Sequence, residues 1–192
     1  MMKLLAINGS PNRDGNTAFL LTKALEAAQS EGVETELIHV RDALKELKEP
    51  FCVQCSSPCS QICYKGTLLE EHYQLLAEAD GVILGSPVYF GTVTAQLKAF
   101  WDMTRVLRTE KSLFNTIGGT ITVGASRYGG QETTVSALHD MMMIQGMMIV
   151  GDASKETDMG HQGACSQRNV REDLEGQKRA QILGQRIARL IK

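Results

Sequence analysis

Short apolar runs alternate with longer segments of helical periodicity along the chain. Lys3 to Asn8, with Leu4 to Ile7 uninterrupted, reads as a buried strand. Thr17 to Glu31 then places Leu20, Leu21, Ala24, Leu25 and Ala28 at helical spacing, and Gly32 ends that pattern. Val33 to Val40 alternates and reads as a second strand, so the opening unit is βαβ with a parallel pair. Arg41 to Glu49 is charged and helix-prone, and it leads through Pro50 into a cysteine-rich segment. Beyond it, helices are predicted at Leu68 to Ala79, Thr92 to Leu107, Thr133 to Gln145 and Val170 to Ile191. Strands are predicted at Gly81 to Gly85, Ile117 to Ala125 and Met147 to Val150, with a polar loop over Gly151 to Ser166.

Alternating short strands and helices predict an α/β fold, a doubly wound five-stranded parallel sheet with helices on both faces. In such sheets ligands sit outside the carboxyl ends of the strands, where the strand order reverses. The loops after the first, third and fourth strands are therefore expected to meet at one crevice. With 192 residues and 43% hydrophobic content, one domain over residues 1–192 is the default, carrying a cysteine-rich loop at 50–66.

The first of those loops runs Asn8-Gly9-Ser10-Pro11-Asn12-Arg13-Asp14-Gly15-Asn16-Thr17. A helix start leaves backbone N–H groups unpaired at the positive end of its dipole, and an anion supplies what they lack. Gly9 and Gly15 permit backbone conformations that a Cβ would oppose, Pro11 stiffens the loop, and Ser10, Asn16 and Thr17 can donate to phosphate oxygens. A triphosphate loop requires Lys followed by Ser or Thr after the second glycine, and Asn16 stands there instead; G-x-G-x-x-G is absent too. The residues fit a single phosphate monoester, with Arg13 nearby.

A formal charge of −2 offers no footprint for nucleic acid or an anionic membrane. No apolar run is long enough to span a bilayer, and the N-terminus enters a strand pattern without a signal-peptide pattern, so a cytoplasmic location is expected. Structural disulfides are not expected there, which leaves five cysteines to explain.

Pro87, Val88, Tyr89, Phe90 and Gly91 follow the third strand, and Ser126, Arg127, Tyr128, Gly129 and Gly130 follow the fourth. With the phosphate loop they describe a pocket for a phosphorylated, flat, aromatic ligand. Here the sequence resembles the flavodoxin-like NAD(P)H-dependent FMN reductase family, and within it the iron–sulfur flavoproteins. The resemblance rests on Gly9-Ser10-Pro11 with Gly15-Asn16-Thr17, on Gly85 to Gly91 with Leu97-Lys98-Ala99-Phe100 and Asp102, and on Gly129 to Thr133. It implies FMN, its phosphate at Ser10, Pro11, Asn12, Arg13, Asn16 and Thr17 and its ring against Pro87 to Gly91 and Ser126 to Gly130. Where the family often has Arg after that Asp, this chain has Met103, with Arg105 two residues on. Cys63 is followed by Tyr-Lys-Gly-Thr rather than by acidic residues.

Cys52, Cys55, Cys59 and Cys63 lie within twelve residues, spaced x2, x3, x3. Thiolates hold iron–sulfur clusters, and a compact loop can wrap one 4Fe-4S unit, whereas structural zinc sites more often join two close pairs across a longer segment. The family's spacing is typically x2, x2 and a longer gap. Zinc and empty thiols stay open as alternatives, and Cys165 stands apart. The resemblance implies an oxidoreductase in which FMN exchanges electrons with a cluster, fed by NAD(P)H, another small-molecule donor or a ferredoxin-type partner, in a homodimer or homotetramer. A cluster-free NAD(P)H-dependent FMN or quinone reductase and a non-catalytic flavin-binding carrier or sensor are the competing readings.

Overall fold

Strand β1 (Lys3–Asn8) is buried on both faces because it lies inside the sheet, between β2 (Glu34–His39) and β3 (Gly81–Pro87). Next to β3 stands β4 (Ile117–Gly124), and every pairing is parallel. Leu5 and Ile7 point into one hydrophobic cluster, and Leu4 and Ala6 into another, so alternate side chains of one strand serve two layers. The helices are α1 (Asn16–Ser30), α2 (Val40–Lys45), α3 (Leu68–Ala77), α4 (Ala95–Asp102), α5 (Arg105–Glu110), α6 (Gln131–Met143) and α7 (Leu174–Leu190). The first cluster is covered by α3, α4 and α6 and the second by α1 and α7. The computed structural model describes residues 2–192.

The sheet order is β2-β1-β3-β4, followed by a last position beside β4, with the reversal between β1 and β3. Its last position is filled twice. β5 (Met148–Ile149) pairs with Ile117 and Gly118, and β6 (Ala164–Gln167) pairs with Ile121 to Gly124. One strand position is thus interrupted by residues 150–163. The loop predicted over Gly151 to Ser166 therefore ends in a strand, whose polar sequence is compensated by the ladder to β4.

The helix predicted from Thr92 to Leu107 breaks after α4. Buried Thr104 turns its hydroxyl back to the Trp101 carbonyl at 2.7 Å and receives the Gln145 amide at 2.7 Å, a tertiary contact that sets the break. Two arginines of α7 fasten the interruption. Arg179 grips Asp158 with two bonds of 2.7 Å, and Arg186 donates to the Gly151 carbonyl at 3.0 Å. Helices α1 and α7 meet so closely that a Cβ on Gly184 would come within 2.0 Å of the Ala24 carbonyl oxygen. Met141, Met142 and Met147 are core, while Met143 and Met148 are exposed. Among the described residues no helix is long and apolar enough to cross a membrane.

Candidate functional site

The loop after β1 is organised by the buried side chain of Asn8. Its Oδ1 accepts the Ser10 N–H at 3.0 Å, which orients the amide so that Nδ2 faces His39 Nδ1, also at 3.0 Å. Neutral His39 then accepts at Nδ1 and carries its proton on Nε2. Burial first, then the Arg13 charge, lowers the His39 pKa, with Asp42 and Asp14 opposing. Ser10 Oγ in turn accepts the Asn12 N–H at 3.1 Å.

Gly9 is needed for closeness rather than for an unusual φ. Its N–H donates to Gly85 O at 2.8 Å, and a Cβ would collide with that carbonyl and with Leu97 at 2.8 Å. Gly15 is extended and is the N-cap of α1, so no side chain caps the helix, and its first turn holds no acid. The first intrahelical bond runs from Phe19 N to Gly15 O at 3.1 Å, leaving the preceding N–H groups free for an anion.

Cross-ties hold the other two loops to the first. Thr94 donates its hydroxyl to Gly9 O at 2.6 Å and accepts the Leu97 N–H at 3.1 Å, capping α4 while clamping the phosphate loop. In the second loop Tyr89 and Thr92 exchange backbone bonds around Phe90 and Gly91, both at positive φ, 49° and 81°, and Phe90 is fully exposed. Thr133 Oγ1 donates to Gly91 O at 2.8 Å, joining the second loop to α6. Buried Gln131 shapes the third, donating to Ser126 O at 2.7 Å and accepting the Gly129 N–H at 2.9 Å.

These loops enclose a cavity of about 430 Å³, within the range of small-molecule sites. Ser10, Asn12, Asn16 and Thr17 line one side and Pro87, Val88 and Tyr89 another. Val123, Gly124, Ala125 and Arg168 complete the wall.

A second cavity, of about 180 Å³, is lined by all four clustered cysteines together with apolar Phe51, Val53, Ile62, Tyr64 and Met103. Cys52 and Cys59 are half-buried, Cys55 and Cys63 exposed. Burial pushes the Cys63 thiol up; a backbone hydrogen bond opposes this, and the neighbouring Cys55, Cys59 and Cys52 add to it. Four thiolates here need a cationic centre to offset them. Among the described residues no three His, Cys, Asp or Glu side chains converge on a single-ion position. Four sulfurs around one largely apolar hollow form a donor set of the chemical type that holds iron–sulfur groups or zinc.

Residues 2–162 match the profile of the NADPH-dependent FMN reductase family. The chain belongs to that family. An iron-sulfur flavoprotein of Methanocaldococcus jannaschii is 41% identical, the match covering 100% of this chain and 98% of the relative. Another, from Methanosarcina thermophila, is 37% identical over 91% of this chain and 87% of its own. A WrbA-like flavodoxin structure from Agrobacterium tumefaciens superposes with a TM-score of 0.72 at 17% identity, covering 100% of this chain and 98% of that one, which shows the flavodoxin-like fold.

As a member of the FMN reductase family the protein is an FMN-dependent oxidoreductase. Of the residues singled out in the sequence, Pro11, Arg13, Phe90, Gly91 and Ser126 to Gly130 stand beside the larger cavity rather than on its wall. Arg13 is turned to Asp42, forming an ion pair. The sequence pattern singles out neither Thr94 nor Arg168, and it places Asn8 at the head of the loop without a role. Arg168 follows β6, its N–H donates to Gly124 O at 3.0 Å, and among the described residues it makes no ion pair. The departure at Met103 is local to the cysteines, since Met103 and Arg105 both line their cavity and Arg105 donates to Ser56 O at 3.2 Å.

Proposed function

We propose that this family member is an electron-transferring iron–sulfur flavoprotein, with FMN in the larger cavity and a 4Fe-4S cluster held by Cys52, Cys55, Cys59 and Cys63. The observation that carries the reading is that all four cysteines line one cavity, separate from the one framed by the three loops. When bound, FMN supplies hydride or electron-pair chemistry and the cluster single-electron transfer.

The chain's own residues bind and orient. The uncapped start of α1, with Ser10, Asn12, Asn16 and Thr17, receives the phosphate, and Arg168 brings a cation that Arg13, occupied by Asp42, does not. Pro87, Val88 and Tyr89 form a wall for the flavin ring, and Phe90, Arg127, Tyr128 and the Gly129-Gly130 turn flank it. The exposure of Tyr89, Phe90 and Tyr128 leaves room for a second flat ring, which favours NAD(P)H as donor; a ferredoxin-type partner is the alternative.

Helix α4 separates the two cavities: Thr94 at its start clamps the phosphate loop, and Met103 just past its end lines the cysteine cavity. Eight helical residues span about 12 Å at ~1.5 Å per residue. It is the family resemblance, not this spacing, that supports a cytoplasmic homodimer or homotetramer in which a neighbouring subunit's cluster approaches the flavin. Anaerobic purification followed by visible spectroscopy and metal analysis tests the reading. Flavin bands with a violet-blue shoulder and about four irons per chain are expected. Flavin with zinc and no iron would falsify it.

A further inference from the structure

Tyr64 and Tyr73 are both buried, and their rings meet edge to face with centroids 5.1 Å apart. Tyr73 satisfies its hydroxyl on the Phe100 carbonyl at 2.6 Å. Tyr64, only 1% exposed, has a buried hydroxyl for which the described residues offer no partner. Packing does not account for that oxygen, because phenylalanine would fill the same space. A buried unpaired hydroxyl is costly, and each such group in a native protein calls for a missing partner.

The cavity that Tyr64 lines holds the candidate partners. Tyr64 lines the cavity of the four cysteines and directly follows Cys63 in the chain. Its backbone is immobilised: its N–H donates to Gln61 O at 3.0 Å, and its carbonyl accepts from Thr67, the N-cap of α3, through N–H at 3.1 Å and Oγ1 at 2.6 Å. A phenolic O–H is a donor, and the cysteines that line the same cavity are poor acceptors as thiols and good ones as thiolates.

We propose that Tyr64 donates its hydroxyl hydrogen to the thiolate sulfur of one of the four cysteines of this cavity when they ligate the iron–sulfur cluster, and so sets the cluster's potential. This rests on the cluster reading above. A hydrogen bond to a ligand sulfur withdraws electron density and favours the more negative, reduced state, so it raises the potential. Tyr64 is a positioning and tuning residue, not a catalytic one.

The test compares full-length wild type with Tyr64→Phe, purified anaerobically. Iron, sulfide and FMN are quantified, the two potentials are titrated spectroscopically, and thermal melts are recorded with and without iron. The variant is expected to keep iron and FMN, with a cluster potential more negative than wild type and an FMN potential unmoved. Without iron it should melt at or above the wild-type temperature, since only an unpaired hydroxyl has gone. An unmoved cluster potential, equal shifts of both potentials, or a metal-free variant melting well below wild type overturns the inference alone. Wild type that holds zinc and no iron overturns the cluster reading and this inference with it.

Discussion

The two cavities are built on opposite plans. Around the larger one, the loops are tied to each other by groups from distant parts of the chain: Thr94 to Gly9, Thr133 to Gly91, and Gln131 to Ser166. The segment around the cysteines has few such ties, chiefly Arg105 to Ser56 and Glu46 to the Leu68 N–H, and it leaves Phe51, Val53 and Ile62 exposed. Gln54 and Gln61 there adopt positive φ, 52° and 62°. A pocket held by protein bonds keeps its shape when empty, whereas a loop whose donors are thiols is completed by what they bind.

Removing a ligand from the second region gives the largest expected effect and the sharpest contrast. Cys55→Ala should lose essentially all iron and the violet-blue shoulder while retaining wild-type FMN. Chelation of the wild type should likewise raise hydrogen exchange across residues 50–66 and leave the loops after β1, β3 and β4 protected. A variant that sheds FMN together with iron would show that the two regions are one cooperative unit.

Next in size is a cut through the ties of the first region. Thr94→Val removes the donor to the buried Gly9 carbonyl and the cap of α4, and should cost about 1–3 kcal/mol of stability. If that loss falls on the loop's binding conformation, FMN weakens about tenfold or more, with iron content unchanged. Wild-type FMN affinity in this variant would mean that the phosphate loop does not depend on its neighbour.

How far this contrast could be read from sequence depends on which interactions are local. Strands β1, β3 and β4 announce themselves because they are apolar on both faces, and the cysteines because four of them fall together. β6 does not, since Ala164 to Gln167 is short and polar and owes its structure to pairing with Thr122 and its neighbours in β4. Arg168 was hidden for the same reason: only the placement of β6 brings it to the cavity. Asn8 and Thr94 look like ordinary polar residues until the fold sets Asn8 against His39 and Thr94 against Gly9. Gly9 was noticed, but its reason lies in the approach of Gly85 and Leu97, not in backbone freedom.

Arg168 gives the third test, smaller than the second. Arg168→Gln should weaken FMN by about tenfold and leave riboflavin nearly unaffected if its charge serves the phosphate, as proposed. Titration of flavin-depleted protein with both flavins decides it, and equal weakening of the two would place Arg168 on the ring or ribityl chain instead.

The smallest effect probes how firmly the first region is held. Neutral His39 accepts from Asn8, and a protonated ring would set an N–H against the amide's own N–H and strain the loop. The charges around it are mixed, with Arg13 on one side, Asp42 and Asp14 on the other, and His72 on the neighbouring α3. His39 is lowered in the folded protein, so the unfolded chain takes up a proton first as pH falls below about 6.5. Its contribution is complete above that value and declines as pH drops through the lowered pKa. His72 and His139 are lowered as well and act in the same direction, so stability alone does not isolate His39. FMN affinity does, because only His39 touches the residue that orients Ser10. Between pH 7 and pH 5 the wild type should lose FMN affinity by a few-fold more than His39→Asn, which keeps an acceptor at the δ position and does not titrate. Identical pH profiles for the two proteins would show that Asn8 holds the phosphate loop without regard to the charge on its partner.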